Sequence, residues 1–194
     1  MKNYILIALF ISLSLDAISQ EMTSTFFDPR DGQEYETVFI EVTLETEMTE
    51  MQEWMAVNLN YASEDSYCYN NYQEYCNAFG RLYSWKGALK ACPAGWHLST
   101  YYEWELLMAK YGGPSSTGPA LKEGGESGLN LKPAGFSEPS GAFIDIGVDG
   151  YYWKRETMTS NNPGTITIHS GVNYITNDQV NAEHRNSQRC VRDR

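Results

Sequence analysis

The clearest helical pattern in the sequence lies between residues 82 and 91. Leu82, Trp85 and Leu89 recur at the spacing that places apolar side chains on one face of an α-helix. Cys92-Pro93 ends the pattern, since the residue before a proline disfavours helical backbone angles. We therefore predict a short helix over 82–91 with one buried face.

A second helix is predicted to begin after Thr100. Thr100 and Glu103 have the spacing of a capping box, in which each side chain accepts a hydrogen bond from the backbone amide of the other residue. Apolar residues then follow at i, i+3, i+4 and i+7: Trp104, Leu107, Met108 and Tyr111. Gly112-Gly113 ends the helix. A stripe of this kind belongs to a core rather than to a ligand surface.

Strands are predicted on both sides of these helices. After a turn at Asp31-Gly32, the side chains of residues 34–40 alternate with the two-residue period of a strand. Residues 53–61 give a second predicted strand. Further strands are expected at 130–136, 142–147 and 151–153, with a hairpin over 165–176 that turns at Ser170-Gly171. Short helices mixed with many short strands predict an α+β fold with long loops.

The chain divides into three segments by composition. Residues 1–19 combine Lys2, a mostly apolar stretch from Tyr4 to Leu15 and small residues before Gln20, which predicts a cleaved signal peptide. Residues 20–27 are expected to be a flexible leader, and residues 28–194 to form a single domain. No other apolar run reaches the length of a membrane span. We expect an exported protein that is periplasmic, associated with the outer membrane, or extracellular.

The net charge of −11 excludes one class of partner. An acidic protein repels phosphate backbones, so we do not expect nucleic acid to bind. Much of the acid falls early in the chain, at Glu41, Glu45, Glu47, Glu50 and Glu53. We interpret this run as a solvated face, and a site for a cation or a basic partner is the alternative.

Four cysteines occur in this exported chain, namely Cys68, Cys76, Cys92 and Cys190. An even number in this setting predicts disulfides, and three pairings are possible. We favour Cys68–Cys76, which would close a short polar loop, and Cys92–Cys190, which would tie the middle of the sequence to its last segment. A structural zinc site is the rival interpretation, but no Cys-x-x-Cys occurs and the histidines are scattered.

Several blocks resemble a known family. Gly80 to Trp85 (Gly-Arg-Leu-Tyr-Ser-Trp) and Cys92 to Leu98 (Cys-Pro-Ala-Gly-Trp-His-Leu) are similar to the signature of the Fibrobacter succinogenes major paralogous domain. The resemblance extends over residues 28–193 and implies a closing strand at 187–192. The chain departs from the family pattern at residues 41–52, which are longer and acidic and predict a local insertion or a longer hairpin.

The resemblance implies a fold and a compartment. The family consists of exported bacterial domains related to C-type-lectin-like and sulfatase-modifying-factor folds. We therefore expect two short helices packed on one small, twisted, mostly antiparallel sheet, stapled by disulfides. Domains of the C-type-lectin-like type carry a long-range bridge near their C-terminus, which supports the Cys92–Cys190 pairing.

No chemical motif in the chain is strong. Glu138-Pro139-Ser140 is similar to the calcium loop of C-type lectins, but serine is a poor calcium ligand. Asp145 and Asp149 fit a turn better than an EF-hand, and His97 is interpreted as a rim histidine that bonds a backbone carbonyl. Neither a nucleophile elbow nor a phosphate-binding loop occurs. We therefore predict no catalytic residue, no cofactor-binding residue and no metal ligand.

These observations give a functional hypothesis. We expect a non-catalytic binding or assembly module of the bacterial cell envelope or surface that engages a protein partner. The candidate contacts are the loop tyrosines Tyr67, Tyr69, Tyr72 and Tyr75, and the alternative is that half of these rings simply pack against the loop. Two other functions stay open. One is a calcium-independent carbohydrate-binding domain, for which polysaccharide would be the ligand. The other is an enzyme related to formylglycine-generating enzymes, which needs reactive thiols.

Overall fold

The computed structural model describes residues 22–157 and 161–194, so the predicted signal peptide at 1–19 lies outside the described residues. The fold is α+β with short helices and mostly antiparallel strands, as expected. The expectation of one small sheet was wrong, because the described residues form two sheets. The segment predicted as a single closing strand divides at Arg189, and its two halves pair with different sheets.

The first sheet is antiparallel throughout and has the order β1-β2-β3-β13-β6. Its strands are β1 (Met22–Phe27), β2 (Glu34–Thr43), β3 (Thr49–Met55), β6 (Trp96–Leu98) and β13 (Cys190–Arg192). The β2–β3 register runs from Thr37 opposite Met55 to Thr43 opposite Thr49. Residues 41–52 are therefore part of a longer hairpin, which is one of the two forms expected from the sequence.

The expectation of a flexible leader at 20–27 was wrong for its described part. Residues 22–27 form β1, whose six positions pair with β2 from Met22 opposite Phe39 to Phe27 opposite Glu34. The ring of Phe26 packs against Trp96 with 5.1 Å between ring centroids. Threonine and phenylalanine favour extended backbone, and β2 pairs with one side of the main chain of this segment.

The second sheet has eight strands in the order β11-β10-β9-β7-β12-β5-β4, with β8 paired to β7. Its strands are β4 (Ser66–Tyr67), β5 (Leu82–Ser84), β7 (Ala134–Ser137), β8 (Phe143–Ile146), β9 (Asp149–Lys154), β10 (Gly164–His169), β11 (Ile175–Gln179) and β12 (Arg185–Gln188). The predicted hairpin is β10–β11, with Ile168 opposite Ile175. Parallel pairs join β9 to β7 and to β12.

The described residues contain four α-helices rather than two. These are α1 (Gln73–Phe79), α2 (Trp85–Ala91), α3 (Tyr101–Lys110) and α4 (Gly118–Leu121). The predicted capping box at Thr100 and Glu103 is present at the start of α3. Helix α2 begins later than expected, because residues 82–84 are a strand and the Ser84 hydroxyl caps the helix by accepting from the Gly87 amide.

Two buried clusters fill the interior. Trp54 belongs to one cluster and the next residue, Met55, to the other. Adjacent residues of a strand point to opposite faces, so the first sheet is covered on both sides at this position. The predicted stripe of α3 is core, and Trp104 meets Trp54 edge to face at 4.9 Å between centroids. Within the described ranges, every helix is too short or too polar to cross a membrane.

Candidate binding surface

Both favoured disulfides are present. Cys68 and Cys76 are joined with 5.0 Å between their Cα atoms, and Cys92 and Cys190 with 5.8 Å. All four cysteines lie in the described part of the chain, and none of them is free. The first bridge staples a surface loop that contains a 3-10 turn at Tyr69–Asn71 and then α1.

Two of the four candidate tyrosines are held against the body of the protein. Tyr69 is only 6% exposed, and its ring contacts Phe143 at 5.1 Å and Tyr75 at 5.5 Å between centroids. Burial raises the pKa of the Tyr69 phenol. Tyr67 is half-buried, and the Arg185 guanidinium lies 4.1 Å from the centre of its ring. These two residues support the loop and present little surface.

The other two tyrosines form an aromatic column along α1. Tyr72 precedes the helix and is 58% exposed, whereas Tyr75 is half-buried. The Tyr75 ring lies 6.4 Å from both Tyr72 and Phe79, with interplanar angles of 46° and 34°. The structure therefore brings Tyr69, Tyr72 and Tyr75 together but fully presents only Tyr72.

A polar pocket of about 230 Å³ borders the end of α1. Asn58 and Asn60 line it together with Glu34 at the start of β2 and Phe79 at the end of the helix. The Asn58 side chain is 6% exposed and donates to the Phe79 carbonyl at 2.8 Å. The Oδ1 atoms of both asparagines are buried and have no hydrogen-bond partner among the described residues. Sequence reasoning missed this pocket, and its only signal was the Asn-Leu-Asn run.

A histidine between two carboxylates lies on β6. His97 Nε2 is 2.8 Å from Glu103 Oε1, and His97 Nδ1 is 2.7 Å from Asp193 Oδ1. The interpretation of His97 as a residue that bonds a backbone carbonyl was wrong. One carboxylate partner comes from α3, six residues along the chain, and the other from the chain beyond β13, 96 residues away.

The pKa values of this cluster follow from its contacts. Burial alone lowers the pKa of His97, but hydrogen bonds and charges from Glu103 and then Asp193 outweigh it and raise the pKa. Burial alone raises the pKa of Glu103, but His97 and then the Thr100 hydrogen bonds outweigh it and lower the pKa. Both ring nitrogens of His97 already have partners, so neither is available to take a proton from a substrate. The cluster fits an anchor for the end of the chain.

The other acidic motifs of the sequence are satisfied within the fold. Asp145 accepts from the Tyr151 hydroxyl at 2.8 Å, and Asp149 is 3.1 Å from His169. The Ser140 hydroxyl donates to Glu138 across a turn. Over residues 22–157 and 161–194, no group of three or more His, Cys, Asp or Glu side chains is placed to hold a metal ion.

The charge of the protein is unevenly distributed. Residues 31–80 contain 11 of the 25 acidic residues and none of the 14 basic ones, so the rest of the sequence is neutral in sum. This segment includes β2, β3, the stapled loop and α1. Two of its glutamates are paired by the end of the chain, Glu50 with Arg194 and Glu53 with Arg192. A partner that binds here meets a predominantly acidic surface.

Comparison with known proteins gives a family but no characterised relative. No curated protein and no solved structure matches the chain. The model of the Fibrobacter succinogenes major domain matches residues 46–192, which is well over half of the sequence. The matched range includes both disulfides and the stapled loop. The chain belongs to the Fibrobacter succinogenes major domain family.

Proposed function

We propose that the protein is an exported, non-catalytic binding or assembly module of the bacterial cell envelope or surface, and that it engages a protein partner. Tyr72 carries this proposal. It is a large exposed aromatic side chain on a loop that a disulfide and packed rings hold in place. A tyrosine on a preformed surface contributes contact area at little cost in conformational entropy.

Two further features support this function. The signal-like residues 1–19 and the two disulfides fit an oxidising compartment outside the cytoplasm. A C-type-lectin-like arrangement, which the family resemblance implies, is part of the proposal, and the bridge between Cys92 and Cys190 supports it. Such a fold presents its loops as a binding face, and the stapled loop is the natural contact.

The alternatives fit the described geometry less well. A carbohydrate-binding platform needs rings that lie flat side by side, whereas Tyr72, Tyr75 and Phe79 are tilted and interlocked. An enzyme of the formylglycine-generating type needs a reactive thiol, and the cysteines of this chain are in disulfides. These observations favour a protein partner.

The test is affinity capture from a cell-envelope extract with tagged residues 20–194 as bait. We expect one protein in stoichiometric amount, retained in EDTA, and a roughly tenfold loss of recovery with Tyr72→Ala. Tyr174→Ala is the matched control, because Tyr174 is also exposed but lies in the turn after β10. Recovery of polysaccharide without any protein would replace this function by carbohydrate binding.

A further inference from the structure

The free edge of the first sheet is formed by β1. Within the described residues, β1 pairs with β2 alone and ends the strand order. Five of its six residues are exposed, including the apolar Met22 and Phe27. Its outer edge therefore presents backbone amides and carbonyls that another strand can pair with.

This edge lacks the usual devices that prevent pairing. Edge strands are commonly protected by charged side chains, proline, bulges or short length. The sequence of β1 is Met-Thr-Ser-Thr-Phe-Phe, and its register with β2 is unbroken. The opposite edge of the same sheet, β6, is only three residues long, and the edge strand β11 of the second sheet carries Asp178. Among these edges, β1 is the one best suited to accept a strand.

Charge indicates what kind of strand fits. The strand next to β1 is β2, which carries Glu34, Glu36 and Glu41 and no basic residue. A second copy of this chain would bring the same acidic segment and another net charge of −11 to the contact. A strand that carries lysine or arginine would instead be attracted, and long basic side chains reach beyond the neighbouring strand.

A residue paired with β1 and a residue at the end of α1 line the same pocket. Phe27, the last residue of β1, lies opposite Glu34. Glu34 lines the same pocket as Phe79, which ends the aromatic column of α1. A strand added to β1 therefore ends near the pocket at the Phe79 end of the aromatic column.

We infer that the protein partner contributes an extended, cationic segment that adds to the sheet as a strand along β1. Backbone hydrogen bonds to the free edge supply pairing, and the acidic surface of β2 selects basic side chains. The inference rests on the proposed function, since it specifies the chemistry of the protein partner and the edge that it meets.

Hydrogen exchange on the mature protein with two synthetic peptides tests the inference. One peptide alternates threonine and lysine over about ten residues, and the other replaces each lysine by glutamate, which keeps the strand propensity and reverses the charge. We expect the lysine peptide to slow amide exchange in residues 22–27, and added salt to weaken the effect. Protection of β1 by neither peptide, or by both equally, would overturn the inference.

A matched pair of variants distinguishes pairing of the peptide along β1 from general electrostatic attraction of the peptide to the acidic surface. Thr23→Lys with Thr25→Lys places two positive charges on the β1 edge, whereas Thr46→Lys with Thr49→Lys adds the same charge near the hairpin tip, where both threonines are exposed. We expect the edge variant to weaken binding of the lysine peptide at least tenfold and the tip variant to weaken it less than threefold. Equal weakening by both variants would contradict strand addition.

Two results distinguish this inference from the proposed function. If an envelope protein is captured, and its recovery falls with Tyr72→Ala but not with the β1 edge variant, the proposed function stands and strand addition fails. If light scattering shows a dimer of the mature protein that the edge variant dissociates, the occupant of the edge is a second copy and the cationic partner is wrong. Capture of no partner overturns the proposed function, even where the lysine peptide protects β1.

Discussion

The two disulfides connect very different regions. Cys190 is fully buried in β13, and its bridge to Cys92 joins positions 98 apart in sequence at the centre of the fold. The bridge from Cys68 to Cys76 spans a separation of eight and encloses a surface loop whose most exposed ring is Tyr72. The same covalent bond therefore closes a long stretch of the chain in one region and a short surface loop, the proposed partner contact, in the other.

The two regions also differ in whether their charged side chains are buried or exposed. In the core region, Arg189 is fully buried and donates to the carbonyls of Met55 at 2.7 Å and Asn130 at 2.9 Å. Burial lowers the pKa of Arg189 to about 10. Glu74 on α1, by contrast, is exposed to solvent. The buried charge of Arg189 is hydrogen-bonded to backbone carbonyls, whereas the exposed charge of Glu74 remains available to a partner.

The largest difference between the two regions is expected in the loss of unfolding free energy when each disulfide is removed. For Cys92→Ala with Cys190→Ala, the chain-entropy argument gives a loss of about 4.7 kcal/mol, against about 2.5 kcal/mol for Cys68→Ala with Cys76→Ala. The long bridge restricts far more of the unfolded chain, since the separations are 98 and 8 residues. Denaturant unfolding of the two double variants measures both values.

The reverse order of stability would contradict this division of roles. We also expect the Cys68→Ala, Cys76→Ala variant to lose partner recovery while it remains folded, because the loop that presents Tyr72 is released. A fully retained partner interaction in that variant would show that packing of Tyr69 and Tyr75 alone fixes the loop.

A smaller effect is expected where the stapled loop rejoins the core. Gly80 follows α1 with a φ of 75°, and a Cβ there would lie 2.6 Å from the Asn58 Cβ. Gly113 has a φ of 86° but open space around it. Gly80→Ala should therefore destabilise the protein by about 3 kcal/mol, and Gly113→Ala by about 1 kcal/mol, because only the first combines backbone strain with a steric clash.

Unfolding free energies of the two glycine variants are the measurement. Equal losses would mean that positive φ alone sets the cost and that Asn58 can move away from the new methyl group. A difference would show that the junction between the loop and the core is tightly packed, as the Asn58 bond to the Phe79 carbonyl suggests.

The sequence was most informative where the structural cause is local. The capping box at Thr100 and the stripe at Trp104 depend on neighbours within two turns, and both predictions are confirmed. The stapled loop contains α1, which was not predicted because its Tyr- and Asn-rich sequence has no aliphatic periodicity. The helix contains Cys76 of the bridge, and its Tyr75 packs against Tyr69 in the preceding turn.

Features that depend on distant partners were missed. β1 was expected to be flexible. It forms a strand by pairing with β2, a partner that the residues of β1 do not themselves reveal. The His97 cluster joins residues 97 and 103 to residue 193, and no local spacing reveals the contact with residue 193. The asparagine pocket likewise depends on α1 meeting the start of β2. In the candidate surface, the tyrosines were predictable by residue type, whereas their exposure was decided by packing.

The smallest expected effect concerns pH and the region of the long disulfide. His97 on β6 lies opposite Val191, beside Cys190. Because its pKa is raised in the folded protein, its stabilisation is fully present below the unfolded value near 6.5 and is lost as pH rises through the folded pKa. The lowered pKa of Glu103 gives stabilisation that is present above the unfolded value near 4.5 and is lost as pH falls through the folded pKa.

His97→Gln should therefore cost most between these two pH values and progressively less in alkaline solution. The part of this loss that comes from the Asp193 pairing should be no more than about 1 kcal/mol, since Asp193 is exposed and solvent screens it. The measurement is the unfolding free energy of wild type and variant across this pH range, with His184→Gln as the control because His184 contacts Phe136 rather than carboxylates. A difference in unfolding free energy that is the same at every pH would show that His97 stabilises the chain end by packing and neutral hydrogen bonds. The charges of Glu103 and Asp193 would then add no stability to the region that the long disulfide already restrains.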